Sequence, residues 1–431
     1  MGFLYRAYSL FGSSLLYPCL APLWAYMGVT GRPSDGLRER LGYLAPELPH
    51  LLGGSPRIWI HASSLGEVKV ASALKLPLEK LLPGGSLLLS TSTPHGRRLA
   101  METFRPHPVV YAPIDTVVSV RRALSAVRPD VMVFVETEIW PAWITEARRM
   151  GIRVAMINGR ISRRSIRRYM AFQPFFREVL KNVETFSMIG QEDAERIRKM
   201  GADPSRIQVN GNAKYEQLVL QADPLVESEM RRVLNLGDTQ VVLVAGSTRP
   251  GEEEMILDVY QRIRKEFPEA ILVIAPRHIV RTPSIEAMLK ASGLEYQLRT
   301  GIDPGNRSRV APVVVMDAFG ELFRLYSVGT INFCGASLVP LGGQNPLEPA
   351  AWGKAVFYGP SMDDFAEARR TLESEGAGIE VSGPEDFARK AIALLKDPAL
   401  LRGKGEKARH ALLANRGAAE RHARVIAELA R

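Results

Sequence analysis

The chain has 431 residues, of which 46% are hydrophobic and 24% charged, so it is long enough for two ordinary domains and too apolar to be disordered. Its two cysteines, Cys19 and Cys334, lie far apart, which excludes a disulfide framework and a cysteine metal motif and is typical of a reducing compartment. Lysine and arginine number 56 against 46 acidic residues, and the net charge of +10 favours an anionic partner such as a nucleotide, a nucleic acid or a phosphate-bearing membrane.

The first element is an apolar segment from Ala7 to Gly31 that carries no charged residue. About 20 apolar residues suffice to cross a bilayer, and the tyrosines and the tryptophan of this segment suit the membrane interface. We therefore predict that residues 1–31 form a membrane anchor or an interfacial helix, with the arginines that follow it on the cytoplasmic side. The alternatives are a buried N-terminal helix and a secretion signal, although no clear small-residue cleavage site follows.

From Arg57 onward, short apolar runs alternate with helical segments, which is the pattern of a parallel sheet covered by helices. The predicted strands of the first half are RIWIHA, SLLLST, PVVYA, DVMVFVE, IRVAMIN and TFSMIG. A polar, helix-like passage, DPLVESEMRRVL, leads to a second series, QVVLVAGS, AILVIAP, APVVVM, GTINFC and KAVFYG, and the chain after Pro384 is predicted to be helical. The fold class is therefore α/β, with two doubly wound, Rossmann-like domains at residues 32–220 and 221–431 that face each other across a cleft.

Polar residues follow several of these strands, at the edge where doubly wound sheets bind ligands. In the first half, a turn of small residues leads to Glu67, which either complements the dipole of the next helix or acts as a general base. Another strand ends in Glu136 and Glu138, two carboxylates that strand alternation would place on the same side of the backbone. Lys214 follows a permissive glycine at the end of this half.

In the second half, the stretch from Asn332 to Pro360 predicts a strand, a glycine-rich turn, a helix and a further strand. Asn345 is predicted to be the N-cap of this helix, with Pro346 at its first position and Glu348 in its first turn. An anion can bind at such a helix N-terminus, and Glu348 can accept hydrogen bonds from a sugar diol. The alternative is a capped helix in which Glu348 only completes the cap.

Two further strand ends of the second half carry polar residues. Arg277 follows Pro276 and could pair with a phosphate group in a bidentate way. The residues from Phe319 to Glu321 begin another helix and expose backbone donors. Such clusters at several strand-to-helix junctions of both halves are harder to explain as helix caps than any single one.

A set of motifs resembles, in order along the chain, those of bacterial 3-deoxy-D-manno-octulosonic acid (Kdo) transferases, membrane-associated glycosyltransferases of the GT-B type that use CMP-Kdo. The motifs are HASSLGEV, VETEIWPAWI, NGRISRRS, GNAKYE, GSTRPGEEE, APRH, FGELFRLY and GASLVPLGGQNPLEPAA. The resemblance implies that Glu67 is the general base and that Glu136 and Lys214 stabilise the transition state. It also implies a set of CMP contacts, namely Pro276, Arg277, Phe319, Gly320, Glu321, Asn345, Pro346, Leu347 and Glu348.

The implied reaction is an inverting transfer of Kdo from CMP-Kdo to a hydroxyl of the lipid A precursor (lipid IVA), in lipopolysaccharide biosynthesis at the cytoplasmic face of the bacterial inner membrane. We predict no metal and no other cofactor, because no Asp-x-Asp motif stands at a strand end. The arginine-rich segment from Asn158 to Phe176 fits a phosphorylated lipid at a membrane surface, although a solvated basic helix face would look the same.

Two other functions remain open at this stage. One is a GT-B transferase that uses another nucleotide sugar, such as a UDP-hexose. The other is a membrane protein without enzymatic activity that binds lipid phosphates. We expect no nucleic-acid partner, because the chain has no RNA- or DNA-binding motif and its arginines are spread along its length.

Overall fold

The structure, a computed structural model, describes residues 5–10, 36–303, 307–413 and 415–431. The chain divides into two compact units: unit 1 consists of Met1–Lys214 and Asn415–Arg431, and unit 2 of Tyr215–Ala414. Each unit is built on a sheet of seven parallel strands. The predicted α/β class, with two successive doubly wound sheets, is therefore confirmed.

The sheet of unit 1 has the strand order β3-β2-β1-β4-β5-β6-β7. Its strands are β1 (Arg57–His61), β2 (Ser86–Thr91), β3 (Val109–Tyr111), β4 (Val131–Val135), β5 (Arg153–Gly159), β6 (Thr185–Met188) and β7 (Ile207–Val209). Its helices are α1 (residues 5–10), α2 (Leu37–Arg40), α3 (Leu48–Leu51), α4 (Leu65–Leu81), α5 (Pro94–Thr103), α6 (Val117–Val127), α7 (Pro141–Arg149), α8 (Arg163–Ala171), α9 (Gln173–Leu180), α10 (Gln191–Met200) and, from the end of the chain, α20 (Ala418–Ala430). The strand order reverses between β1 and β4, which makes the carboxyl ends of these two strands the expected ligand crevice of this sheet.

Both faces of this sheet are buried, which explains why its strands read as continuous apolar runs. Alternate residues of β1 belong to two different cores: Trp59 lies in one cluster with Phe134 and Trp143, and Ile60 lies in the other. The second core includes alanines of α20, whose small side chains let this helix pack closely against α4.

The sheet of unit 2 has the order β10-β11-β9-β8-β12-β13-β14 and reverses between β8 and β12. Its strands are β8 (Val242–Thr248), β9 (Ile271–Pro276), β10 (Tyr296–Leu298), β11 (Val313–Val315), β12 (Ile331–Cys334), β13 (Val356–Tyr358) and β14 (Gly378–Glu380). The helices are α11 (Ala213–Gln221), α12 (Pro224–Val233), α13 (Glu252–Glu266), α14 (Thr282–Ala291), α15 (Leu322–Tyr326), α16 (Leu347–Ala351), α17 (Ala366–Ser374), α18 (Pro384–Lys396) and α19 (Pro398–Leu413).

Three strands were not predicted, namely β7, β10 and β14, and they share one property. Each has only three residues and lies at an edge of its sheet. Because none of their residues is buried, no apolar run marks them in the sequence.

The units differ from the predicted domains at two places. The first unit ends at Lys214 rather than at residue 220, inside α11, because Tyr215 and the residues after it pack into a core of unit 2. Residues 415–431 belong to unit 1, not to the second domain, because α20 packs on α4.

The predicted N-terminal segment, residues 1–31, lies largely outside the described residues, which include only residues 5–10 of it. Within that part, Tyr5 is 2% exposed and its hydroxyl donates to Glu146 Oε1 at 3.0 Å, while the hydroxyl of Tyr8 donates to Asp115 Oδ2 at 2.5 Å. These two tyrosines therefore pack on unit 1, and the rest of the predicted membrane segment lies outside the described residues. Among the helices that the structure describes, none is long and apolar enough to span a bilayer.

Candidate active site

The predicted catalytic residues of unit 1 lie around the point where its strand order reverses. Glu67 is in the first turn of α4, which follows β1, and Glu136 directly follows β4. Since β1 and β4 are parallel neighbours, their carboxyl ends lie side by side. Sequence reasoning placed these residues at strand ends, and the sheet order shows that the two strand ends are adjacent.

Two hydrogen bonds fix the Glu67 carboxylate. The backbone N–H of Ser63 donates to Oε2 at 2.8 Å, and the hydroxyl of Ser64 donates to Oε1 at 2.6 Å. Ser64 is the N-cap residue of α4 and makes no side-chain hydrogen bond to the helix backbone, but the Glu67 carboxylate binds the N–H of the preceding residue, Ser63, and so ties the start of the helix to the turn before it. The capping role and the general-base role therefore do not exclude each other.

The environment of Glu67 changes its acidity. Burial raises the pKa of this carboxyl to about 7, and the charges of Glu138 and Glu136 act in the same direction, against the hydrogen bonds from Ser64 and Ser63. Only 7% of Glu67 is exposed, and the ionised carboxylate is disfavoured because so little water can solvate its charge. A carboxylate whose pKa lies near neutral pH can accept a proton more readily than an ordinary glutamate.

Glu136 and Glu138 do not extend the strand as predicted. Glu136 has φ = 62°, a left-handed conformation that ends β4, so the alternation of an extended strand does not apply here. The two side chains have different partners: Glu136 forms an ion pair with Lys214, and Glu138 accepts a hydrogen bond from the indole of Trp140.

Lys214 reaches the start of α4 as well as Glu136. A Cβ atom built on Gly66 would lie 3.2 Å from Lys214 Nζ, so the absence of a side chain at Gly66 leaves room for this ammonium group. The structure thus brings together all three predicted catalytic residues, Glu67, Glu136 and Lys214, within unit 1.

His61 is a residue of this site that sequence reasoning missed. Its ring is buried and lies among aromatic rings, including those of Trp140 and Trp143. Its Nδ1 lies 3.1 Å from Ser90 Oγ, and its Nε2 lies 3.7 Å from Glu138 Oε2. Its position as the last residue of β1, next to the turn that carries Glu67, was the only available signal.

In unit 2, the residues after β9 form an exposed basic group. Pro276 ends this strand, and the exposed side chain of Arg277 has no hydrogen bond or ion pair with the described residues. Arg249 Nη1 donates to His278 Nε2 at 2.7 Å, so this imidazole nitrogen is an acceptor. Because the Arg277 guanidinium is exposed and has no partner among the described residues, it is available for an anion.

The turn after β11 presents Phe319 to solvent, with 77% of its side chain exposed. Gly320 has φ = 94°, a conformation that few other residues adopt. The Glu321 carboxylate accepts from Arg299 Nη2 at 3.1 Å, so its side chain already has a cationic partner within unit 2. That ion pair was not predicted, and it makes the backbone of Glu321 the better candidate for a ligand contact.

The helix at Asn345–Glu348 is shorter than predicted. It begins at Leu347 and has five residues, with Pro346 rather than Asn345 at the N-cap, although Asn345 Oδ1 does accept from the Leu347 N–H at 3.2 Å. Asn345 Nδ2 donates to Glu348 Oε1 at 3.4 Å. With so few aligned peptides, the helix dipole contributes less here than the sequence suggested.

The turn before this helix has the predicted conformational freedom. Gly342 and Gly343 have φ values of 83° and 80°, and a Cβ on either one would collide with Asp364 or Met362. Within the part of the chain that the structure describes, no group of three His, Cys, Asp or Glu side chains could hold a metal ion.

Comparison with known proteins gives a consistent result. A family model described as 3-Deoxy-D-manno-octulosonic-acid transferase (kdotransferase) matches residues 35–217. The 3-deoxy-D-manno-octulosonic acid transferase of Chlamydia pneumoniae is 30% identical over 360 residues, which cover 82% of this chain and 80% of that protein. A bifunctional glycosyltransferase/methyltransferase of Fusobacterium nucleatum is 32% identical over 343 residues and 79% of this chain, and the match spans 52% of that relative's length.

Among solved structures, the UDP-GlcNAc 2-epimerase from Neisseria meningitidis bound to UDP-GlcNAc matches 86% of this chain and 99% of its own, with a TM-score of 0.63. The identity is 14%, so this likeness concerns the fold alone.

Proposed function

Because the chain belongs to the Kdo transferase family and is therefore a glycosyltransferase, we propose that it transfers Kdo from CMP-Kdo, with inversion, to a hydroxyl group of lipid IVA in lipopolysaccharide biosynthesis. The observation that carries the proposal is the buried Glu67 carboxylate, whose pKa is raised to about 7, beside the Glu136–Lys214 ion pair. A sugar hydroxyl is a weak nucleophile, and such a base is what its activation requires.

In the proposed mechanism, Glu67 accepts the proton of the acceptor hydroxyl while that oxygen attacks the anomeric carbon of Kdo. The hydrogen bonds from Ser63 and Ser64 hold the carboxylate in one orientation, so little reorganisation accompanies the proton transfer. The bond between Kdo and the CMP phosphate breaks, and CMP leaves from the opposite face of the sugar.

The charges that develop in this reaction explain the other two catalytic residues. The transition state resembles an oxocarbenium ion, and the Glu136 carboxylate can stabilise its positive charge. Lys214 can offset the negative charge that gathers on the departing phosphate. Their ion pair keeps both groups in place before the substrates bind.

For the donor, unit 2 offers one group for each part of CMP. The available guanidinium of Arg277 suits the phosphate, and the exposed ring of Phe319 suits stacking with cytosine. Glu348 suits the ribose diol, and Asn345, which binds it, orients its carboxylate. Pro276, Gly320, Glu321, Pro346 and Leu347 contribute backbone around these groups.

For the acceptor, we propose that the arginine-rich segment in α8 and α9 binds the phosphates and the lipid. Met170 and Phe172 are exposed large apolar residues there, beside the exposed Arg167 and Arg168. Such a combination suits a phosphorylated lipid at a bilayer surface. The corresponding location is the cytoplasmic face of the inner membrane, with residues 1–31 as the attachment.

The proposal is tested by incubating the full chain in detergent with lipid IVA and either CMP-Kdo or a UDP-hexose, and then measuring the mass of the lipid product. We expect a gain of one or more Kdo residues with CMP-Kdo and no change with the UDP-sugar. Hexose transfer would support another nucleotide-sugar specificity. No transfer from either donor, while the lipid still binds, would contradict the proposed reaction.

A further inference from the structure

The C-terminal segment of unit 1 binds three successive residues of the loop before Lys214. Asn415 Oδ1 accepts from the N–H of Asn212 at 2.9 Å. Arg421 Nε donates to the carbonyl of Asn210, and His422 Nε2 donates to that of Gly211, both at 2.9 Å. Three consecutive residues of the loop thus have a backbone group satisfied by a side chain from a segment about 200 residues later in the sequence.

The His422 ring is fixed on both sides. A carbonyl oxygen can only accept, so Nε2 carries the proton that binds Gly211, and Nδ1 is then the acceptor for the Ser187 hydroxyl at 2.7 Å. Ser187 Oγ in turn accepts from Asn210 Nδ2 at 2.6 Å. The ring is fully buried, and burial lowers its pKa to about 4, so at neutral pH it holds this single tautomer.

The rest of the loop is specified in the same way as far as Lys214. Asn158 Oδ1 accepts from the N–H of Ala213 at 2.9 Å, and Asn212 Oδ1 accepts from that of Lys214 at 3.0 Å. Gly211 has φ = 84°, and a Cβ there would lie 3.1 Å from both Arg421 Nη2 and Asn415 Oδ1. The loop therefore has little freedom to move away from the C-terminal segment.

We propose that Asn415, Arg421 and His422 form a clamp that positions Lys214 for catalysis. They are positioning residues, because they act on the backbone that carries the ammonium group and not on a substrate. The role in catalysis rests on the proposed function, whereas the effect of the clamp on the loop does not.

The first test replaces His422 by phenylalanine, which keeps a ring but removes both nitrogens. We expect kcat for Kdo transfer to fall about 10- to 100-fold, the scale on which small misplacements of catalytic groups act. The KM for CMP-Kdo should stay within about twofold of the wild-type value, because no donor contact is changed.

A double-mutant cycle separates positioning from general damage to the fold. If the clamp acts through Lys214, then His422→Phe should cost less than about twofold further in kcat when Lys214 is already alanine. The proposal would be overturned if the loss of kcat in the double variant equalled the combined losses of the two single variants. It would also be overturned if His422→Phe kept the wild-type kcat.

The matched control is Leu429→Ala, which shortens a side chain of α20 that packs against the same core two turns after His422. We expect this variant to lower the melting temperature and leave kcat unchanged below the transition. An equal loss of kcat in Leu429→Ala would show that α20 acts through stability alone and would contradict the clamp.

Hydrogen–deuterium exchange of the loop, measured without substrates, makes the inference independent of the reaction. The amides of residues 211–214 should exchange faster in His422→Phe than in the wild type or in Leu429→Ala. If these amides exchange faster in His422→Phe but the wild type transfers no Kdo, the proposed function is wrong and the effect of the clamp on the loop is still supported. Unchanged exchange in His422→Phe would contradict the clamp. If His422→Phe does not fold, Asn415→Ala replaces it, because this change removes only one of the three contacts.

Discussion

The two units have the same kind of sheet but prepare its carboxyl edge in opposite ways. In unit 1, the side chains after β1 and β4 are bound to one another before any ligand arrives: Glu67 to two serines, and Glu136 to Lys214. In unit 2, Arg277 and Phe319, which follow β9 and β11, extend into solvent. The exposed fraction of Phe319 is 77%, against 7% for Glu67.

The difference follows from what each edge has to do in the proposed reaction. A general base gains its raised pKa from burial and from nearby carboxylates, so its surroundings must be complete in the free enzyme. In a nucleotide site, by contrast, the ligand supplies the partners of the protein groups. A guanidinium or an aromatic ring that was already paired within the protein would have to lose that partner before it could bind the nucleotide. Topology therefore fixes where each site lies, and burial decides which chemistry it can perform.

The largest expected effect tests the base of unit 1. Glu67→Gln keeps the shape of the side chain and its capping oxygen but cannot accept a proton, so kcat should fall by about 10²-fold or more. The affinity for CMP, measured by titration calorimetry, should stay the same. Glu192→Gln, in the first turn of α10, is the matched control and should leave both quantities unchanged. Near-normal turnover of Glu67→Gln would remove this residue from the mechanism.

The second prediction concerns the available guanidinium of unit 2. Arg277→Ala should raise the Kd of CMP about 10- to 100-fold, because a hydrogen bond to a charged group contributes about 1.5–3 kcal/mol. Cytidine, which has no phosphate, should bind the variant and the wild type equally well. Arg262→Ala, on the exposed side of α13, serves as the control for loss of positive charge. If cytidine binding fell as much as CMP binding, Arg277 would not be the phosphate contact.

The third prediction concerns Glu348, for which capping and ribose binding give different results. If its carboxylate binds the ribose, Glu348→Ala should weaken CMP binding about 10-fold, the lower end of the range for charged hydrogen bonds. The variant should also bind CMP and 2′-deoxy-CMP about equally, whereas the wild type should prefer CMP. A variant that loses thermal stability but keeps the preference for ribose would identify Glu348 as a helix cap.

The fourth prediction concerns the pH dependence of stability that Glu67 contributes to unit 1. The folded-state pKa of Glu67 is about 7, above its ordinary 4.5, so between these two values the folded protein binds more protons at this site than the unfolded chain does. The stability that this group contributes is present below about pH 4.5 and is lost as the pH rises through 7, which corresponds to at most roughly 3 kcal/mol.

Glu67→Gln removes this loss, so it should be more stable than the wild type at pH 8 and nearly equal to it at pH 4.5. Urea denaturation at the two pH values measures the difference. The same pKa predicts that kcat/KM of the wild type rises with pH through about 7, where the base loses its proton. A stability difference that does not change with pH would mean that Glu67 titrates normally.

The sequence was sufficient for the long strands and for the places where polar residues follow them. A short apolar run such as DVMVFV, rich in β-branched residues, favours a buried strand, and several such runs separated by helices predict a parallel sheet that is covered on both faces. The three-residue edge strands were missed because three residues with no buried member carry no periodic signal. The roles of Glu67, Glu136 and Lys214 were predicted through the family resemblance of their motifs, whereas the local sequence of Glu67 also fits a residue that complements the helix dipole.

What the sequence could not supply are contacts between distant residues. Glu321 was predicted to contact CMP, but its carboxylate pairs with Arg299 on another element, and no local pattern predicts this pair. Glu136 was predicted to continue the strand because it directly follows the apolar run. Its left-handed backbone conformation, which ends the strand, has no signal in the local sequence. No local pattern marks His422, because its hydrogen-bond partners Ser187 and Gly211 lie more than 200 residues away in the sequence.

The discontinuity of unit 1 has a consequence for biosynthesis. A ribosome releases the chain from its N-terminus, and domains whose residues are contiguous can fold as they emerge. Unit 2 is contiguous, but unit 1 lacks α20 until residues 415–431 have been made, after all of unit 2. Until then α4 lacks the helix that packs against it from the end of the chain, and the loop before Lys214 has none of its three C-terminal contacts. Unit 2 can therefore fold before unit 1 is complete, and the loop before Lys214 gains its last contacts only after residues 415–431 have been made.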